Sequence, residues 1–245
     1  MNKSCFIKLV SAVFIAAGVF SSAFAQPASA TVLIKIFNTA NNKPVVLMDS
    51  AYTNSFGESY QLSKLKYYIS NIHLSGKPHS YKSKNVFLID AAATDSIVLK
   101  LQPGIYTKLI FVLGVDSMLN CSGAQAGALD PLNGMFWTWN SGYVFFKLEG
   151  YSTSSTADLQ RIEHHIGGYQ GINKAARIIA LDLKEPLVIN ENNQKEIIIQ
   201  VNLDKYWQEK NDIKIATNAL IMVPGEWAKK SADNFAGMFS ILSIK

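Results

Sequence analysis

Short runs of alternating apolar and polar residues recur along most of this chain, and they restrict the folds open to it. Residues 31–38 place Val32, Ile34 and Ile36 on one side of an extended segment, and β-branched residues dominate the run. Alternation with a period of two is typical of a strand with one buried face. Further strands are predicted at residues 44–48, 67–74, 86–90, 96–101, 106–113, 142–149, 177–183, 196–202 and 213–216.

These segments are separated by turn residues such as Pro103-Gly104, which is the spacing of a sandwich rather than of a helical protein. Helical periodicity is weak, and short helices are predicted only at residues 116–119, at 204–210 with Asp204 as the N-cap, and at 233–240. The Gly- and Ala-rich segment 115–136 is predicted to be a structured functional loop. The sequence therefore predicts an all-β fold, a mainly antiparallel β-sandwich-like single domain with long loops and short helices.

The first residues have the pattern of a secretory leader. Lys3 and Lys8 form a positive n-region, residues 9–20 are apolar or small apart from one serine, and Ala23-Phe24-Ala25 is an A-x-A cleavage site. We expect a signal peptide at residues 1–25 and one domain at 26–245, exported to the periplasm or to the extracellular cell surface. The segments after residue 25 are too short to cross a membrane, so we expect no transmembrane segment in the mature chain.

Charge and cysteine content exclude several classes of protein. The formal charge is +5, from 23 basic and 18 acidic residues, and no Lys/Arg run exceeds two, so a nucleic-acid partner is not expected. Without the leader, Cys121 is the one cysteine, which excludes an intramolecular disulfide. A lone cysteine is most often a small hydrophobe, and Cys121 remains only a fallback ligand.

Motifs of common enzymes are missing from the sequence. It contains no G-x-S-x-G, no H-E-x-x-H, no C-x-x-C and no G-x-x-x-x-G-K-[ST]. A hydrolase built from scattered Ser, His and Asp residues would lack a nucleophile elbow. We therefore expect a binding protein and not an enzyme.

Two aromatic and histidine-rich blocks stand out. Trp137 and Trp139 lie just before a predicted strand, and His164-His165 precede Gly167-Gly168. Neighbouring residues of a strand point to opposite faces, so one histidine of the pair would enter a given site; in a turn both could converge. Imidazole is a common ligand of copper and zinc, although the spacing alone favours a surface histidine beside a hydrogen-bonded core histidine.

Other histidines and two aspartates are further candidate ligands. His73, at the end of a predicted strand, is a candidate additional ligand, while His79 falls in a polar turn. Asp116 and Asp130 each precede a turn residue and suit local capping as well as metal binding. A calcium loop of the D-x-[DN]-x-[DN]-G type is not present.

Several of these blocks occur in the same order in one known family. They are residues 67–72, 114–117, 129–131, 134–143, 147–150 and 164–168, and the W-T-W-N-S-G-Y and H-H-I-G-G blocks are the most specific. The chain resembles the MbnP-like family over residues 31–228. That family is named for a periplasmic protein associated with methanobactin, a copper-chelating peptide, and is similar to surface copper-binding proteins of methanotrophs.

The resemblance implies a β-rich extracytoplasmic copper-binding protein. In relatives, a tryptophan is oxidised to kynurenine by a partner di-haem cytochrome c peroxidase-like protein, and the product joins histidine at copper. By position in the blocks, it implies metal-site roles for Trp137, Trp139, His164 and His165. His73 is a possible additional ligand from its place on the strand, and not from the resemblance. The alternative is a carbohydrate- or protein-binding module without metal, in which Trp137, Trp139 and Tyr143 form an aromatic platform.

Overall fold

Extended chain dominates the computed structural model, which describes residues 29–93, 96–138, 141–191 and 193–245. The leader predicted at residues 1–25 lies outside these described residues, as does Trp139. The strands are β1 Ala30–Ala40, β2 Lys43–Pro44, β3 Ala51–Thr53, β4 Ser59–Lys77, β5 Tyr81–Lys82, β6 Val86–Asp90, β7 Ser96–Leu101, β8 Gly104–Leu113, β9 Phe136–Thr138, β10 Gly142–Tyr151, β11 Arg161–Gly167, β12 Arg177–Ile189, β13 Gln194–Asn202, β14 Leu220–Ile221 and β15 Phe239–Ile244.

Helices are short and connect or cover the strands. They are α1 Ser117–Cys121, α2 Asp204–Trp207, α3 Ile215–Asn218 and α4 Glu226–Met238, with single 3₁₀ turns at Gly127–Leu129, Pro131–Asn133, Asp158–Gln160 and Gly171–Asn173. In the part of the chain that the structure describes, no helix is both long enough and apolar enough to span a bilayer.

The strands form two sheets. One contains β1, β2, β7, β13 and β15, and the other contains β3 to β6, β8 to β12 and β14. The described strand pairs are antiparallel except β1 with β13 and β11 with β14. The prediction of a mainly antiparallel, sandwich-like all-β fold is confirmed.

Side chains from both sheets meet in an aromatic core. Phe239 of β15 lies 5.2 Å from Phe111 of β8 and 6.2 Å from Tyr67 of β4, between ring centroids. On β10, Phe146 stacks 5.0 Å from Tyr206 of α2 and 5.1 Å from Phe235 of α4. All but Phe239 are at most 1% exposed, and Phe239 is 5% exposed, so the burial of large rings joins the two sheets and both helices.

Several predicted elements match the structure closely. The strands at 86–90 and 96–101 have the predicted bounds, and β7 buries Ile97, Leu99 and Leu101 while its alternate residues are exposed. The strand at 44–48 is wrong beyond Pro44, where β2 ends. The helix predicted at 233–240 begins earlier and ends at Met238, because residues 239–244 instead pair with β13.

Two local predictions are wrong because distant residues intervene. Residues 213–216 do not form a strand: α3 begins at Ile215, where the Glu58 carboxylate accepts hydrogen bonds from the backbone N–H groups of Ile215 (2.7 Å) and Ala216 (2.9 Å). Asp204 is not the N-cap of α2. Its carboxylate instead accepts from the backbone N–H of Asn41 at 3.0 Å.

Candidate functional site

The histidine pair lies within a regular strand, which settles how its side chains are directed. Along β11, burial alternates: Ile162, His164 and Ile166 are buried, and the residues between them are half-buried. His164 therefore points into the core and His165 points to the outer face of the ten-stranded sheet. The turn geometry that would have let both rings converge is not present.

His164 is fully engaged in the core. Its side chain is 0% exposed, with Nδ1 2.7 Å from the Tyr206 hydroxyl and Nε2 2.6 Å from the backbone oxygen of Asn218. A carbonyl only accepts, so Nε2 donates to it and Nδ1 accepts from Tyr206. Burial lowers the pKa of His164 from 6.5 to about 4, which keeps the ring neutral at pH 7. Neither ring nitrogen has a lone pair left for a metal.

His165 has a different environment. Its Nε2 lies 2.9 Å from Oε1 of Glu149 on β10, and its side chain is 12% exposed. Nδ1 has no hydrogen-bond partner among the residues that the structure describes. One nitrogen of this ring is therefore held in place while the other is available to a ligand.

Glu149 is the centre of a charged cluster on this outer face. Oε2 pairs with Lys64 of β4 at 2.8 Å, and Oε1 lies 3.6 Å from Nζ of Lys147 on β10. The hydrogen bond from His165, supported by Lys64 and Lys147, lowers the pKa of Glu149 to about 2 against the effect of burial. The carboxylate is ionised at neutral pH and acts only as an acceptor.

The same cluster holds the loop that precedes β9. Lys147, directly opposite His165 in the strand register, donates from Nζ to the backbone oxygen of Gly134 at 2.5 Å. Gly134 takes a positive φ of 71° to end the 3₁₀ turn Pro131–Asn133, a conformation that glycine adopts at little cost. Lys147 thus links the segment leading into β9 to the carboxylate that holds His165.

Trp137, on β9, belongs to this outer face. It is half-buried, and its ring lies against Gly167: a Cβ built on that glycine would be 2.7 Å from Cζ3 and 2.9 Å from Cη2 of the indole. Gly167 is two residues beyond His165 on β11, so the two positions share a face and are about 7 Å apart. The indole of Trp137 and the imidazole of His165 therefore lie on the same face of the sheet.

Comparison with known proteins assigns this chain to a family. A family model described as MbnP matches residues 29–224, which is 196 of the 245 residues. The chain belongs to the MbnP family. The matched range contains the tryptophan and histidine blocks, while all of α4 and β15 lie beyond it.

The solved structure of MbnP from Methylosinus trichosporium is similar in fold. The two share 14% sequence identity, and the match covers 88% of this chain and 98% of that one with a TM-score of 0.55. At this identity the likeness concerns the fold alone. No curated protein matches the chain.

His73, the candidate additional ligand of this MbnP-family chain, lies away from the His165 face, and the other candidates are described by their local surroundings. His73 is seven residues beyond Lys66 on β4, roughly 20 Å along the strand, and Lys66 is the neighbour of Lys147. Cys121 is exposed on α1. Asp116 and Asp130 accept hydrogen bonds from the N–H groups two residues on, at 2.9 Å and 2.8 Å, as capping groups.

The aromatic platform of the alternative interpretation is incomplete. Tyr143 is 0% exposed, and its hydroxyl donates into the loop toward the backbone oxygens of Leu129 (2.8 Å) and Gly123 (3.0 Å). Of the three rings proposed for the platform, Tyr143 is buried and Trp137 is half-covered by β11. A sugar-binding surface would need rings open to solvent.

Donor chemistry bears on which metals suit the face. Within the described ranges, no cluster of three or more His, Cys, Asp or Glu side chains is arranged around a common point. A zinc or calcium site needs such a set of preformed ligands. The face offers one unpartnered imidazole nitrogen, which copper accepts as a ligand, and the intact indole on the same face adds no second donor atom.

The sequence patterns did not identify the residues that hold His165 and Trp137 in place. Lys147, Glu149 and Gly167 fall within the family-like blocks 147–150 and 164–168, and Lys64 falls outside them, but the sequence patterns assign a site role to none of these four residues. The cross-strand register of β4, β10 and β11 brings them together. A pairing of two predicted strands is the signal that could have found them.

Proposed function

We propose that this MbnP-family protein is a methanobactin-associated, extracytoplasmic copper-binding protein and not an enzyme, with its site on the outer face around His165 and Trp137. The observation that carries the proposal is that Nδ1 of His165 has no partner among the described residues and shares a face with the indole of Trp137. His164 is assigned a structural role, because both of its ring nitrogens are used within the core.

Trp137 becomes a metal ligand in this proposal only after oxidation. An intact indole N–H is a donor and cannot coordinate, whereas the kynurenine produced by ring opening presents an amine and a ketone. Cleavage of the indole C2–C3 bond adds one oxygen atom to each of its two carbons and gives N-formylkynurenine. This four-electron oxidation consumes two peroxide molecules, which are reduced to two waters, with the electrons passing through the di-haem peroxidase-like partner. Hydrolysis then releases the formyl carbon as formate. The amine of kynurenine would then add a nitrogen donor to the imidazole nitrogen, a type of ligand that copper accepts.

Copper titration of three variants tests the assignment. His165→Ala is expected to weaken copper binding at least about tenfold, or roughly 1.4 kcal/mol, because it removes the imidazole whose unpartnered nitrogen lies on the face of Trp137. His79→Ala, in an exposed turn, is the matched control and should bind as the parent does. His73→Ala tests the additional ligand and should also bind as the parent does. Circular dichroism verifies the fold of each variant.

Two results of the copper titration would contradict these assignments. If folded His165→Ala binds copper with the parent's affinity, the site is elsewhere and this proposal is wrong. If His73→Ala alone weakens binding, the ligand set includes β4.

A further inference from the structure

We propose that Glu149 is the positioning residue of this site: it fixes which nitrogen of His165 carries the proton, and so presents Nδ1 as the ligand atom. This inference rests on the proposed copper function and deepens it. Glu149 itself would not touch the metal, and it would act through the imidazole that it holds.

The hydrogen bond determines the tautomer. Oε1 of Glu149 lies 2.9 Å from Nε2 of His165, and the other carboxylate oxygen is paired with Lys64 at 2.8 Å. A carboxylate that neutralises a lysine has only acceptor positions to offer, so Nε2 of His165 must supply the hydrogen. In a neutral imidazole the other nitrogen, Nδ1, then keeps its lone pair. That lone pair is the group a metal requires.

The sheet geometry makes the contact specific. In the β10–β11 register, Lys147 is opposite His165 and Glu149 is opposite Glu163, so Glu149 reaches His165 diagonally across the pair. Glu163 lies on the same face with the same charge, but its carboxylate pairs with Arg161 at 3.2 Å. Of these two carboxylates only Glu149 contacts the ring, which makes Glu163 a natural control.

A carboxylate behind a ligating histidine has two effects. It orients the ring and makes the ligating nitrogen more basic, and loss of such a partner typically lowers metal affinity 10–100-fold. Lys64 and Lys147 hold the carboxylate in turn, since each lies within 3.6 Å of it. Glu149 therefore holds the ring of His165, and Lys64 and Lys147 hold Glu149.

The first measurement needs no variant and begins with the metal-free protein. Long-range ¹H–¹⁵N NMR should show that the neutral ring of His165 exists as a single tautomer with the proton on Nε2. Addition of Cu(I), which is diamagnetic, should shift the Nδ1 resonance and leave Nε2 protonated. A proton on Nδ1 in the metal-free protein, or a Cu(I)-induced shift at Nε2, would overturn the inference.

The second measurement compares Glu149→Gln with Glu163→Gln. A glutamine can accept from or donate to Nε2, so Glu149→Gln should lose the single tautomer and bind copper 10–100-fold more weakly. Glu163→Gln removes the same charge from the same face and should change neither the tautomer of His165 nor the copper affinity. Equal affinities for the two folded variants would contradict the role of Glu149.

A third variant separates this inference from the function on which it rests. If His165→Ala loses copper while Glu149→Gln retains it, the copper site stands and the positioning role is wrong. If His165→Ala also retains copper, the site itself is wrong, and the inference fails with it.

Discussion

The indole of Trp137 lies against Gly167 so closely that a single methyl group on the glycine would overlap two of its ring carbons, at 2.7 and 2.9 Å. The same methyl group would lie 2.6 Å from the backbone oxygen of Tyr143. Only hydrogen at this position lets the ring pack on β11, two residues from His165. The site is therefore shaped by a residue that supplies no chemistry.

Gly167→Ala should displace Trp137. We expect a loss of about 1–3 kcal/mol in the free energy of unfolding, as for other overpacked positions, and faster hydroxyl-radical labelling of Trp137. Urea unfolding and peptide mass spectrometry measure the two effects. Made in a Trp137→Leu background, the same change should cost less, and the difference isolates the ring. Identical costs in both backgrounds would show that the indole does not occupy this position.

Acid should destabilise the copper-free protein through His164. Its folded-state pKa of about 4 lies below the unfolded value of 6.5, so the unfolded chain binds the proton first. This contribution is fully present above pH 6.5 and is lost as the pH falls toward 4, with a total of about 3 kcal/mol. Urea unfolding at a series of pH values measures it.

NMR provides the control for that titration. The His164 ring should stay neutral through pH 5 while its contacts to Tyr206 and Asn218 persist. A ring that becomes protonated near pH 6.5 in the folded protein, with no loss of stability, would contradict the role assigned to burial.

Trp137 should be oxidised when the protein is made together with a di-haem peroxidase-like partner and unmodified when it is made alone. The ring is half-buried on the His165 face, where only the ring-opened product has donors for copper. Fragmentation mass spectrometry of a peptide spanning residues 134–147 assigns the modification to Trp137 or to Trp139. If both preparations contain intact indoles and bind copper equally, the site depends on histidine without a modified tryptophan.

Glu58 should be a strong determinant of stability. Glu58 is 8% exposed. Its carboxylate accepts hydrogen bonds from Asn54 Nδ2 at 2.6 Å and from the backbone N–H groups of Ile215 and Ala216. Glu58→Ala leaves these buried donors without an acceptor and should cost about 2–3 kcal/mol. Glu58→Gln keeps one acceptor oxygen and should cost less. Equal urea midpoints for the two variants would argue against a capping role.

Local sequence predicts a strand well when no distant residue imposes a different backbone conformation on it. Residues 86–90 and 96–101 have the predicted bounds, because their alternation places one apolar set on the core face and turn residues end each run. Residues 213–216 have a similar apolar pattern and still form helix. The difference is the Glu58 carboxylate, 157 residues earlier in the chain, which caps the first N–H groups of α3.

By itself the sequence determined the all-β class, most of the long strands, and the two blocks that carry Trp137 and the histidine pair, because these depend on residue type and short-range periodicity. Only the tertiary structure decided that His165, and not His164, lies on the same face as Trp137 with an unpartnered nitrogen. That choice depends on β11 being a strand paired with β10, which sends successive side chains to opposite faces and brings Glu149 to one ring and Tyr206 to the other. Strand register is a long-range property, so no window of residues along the chain contains it.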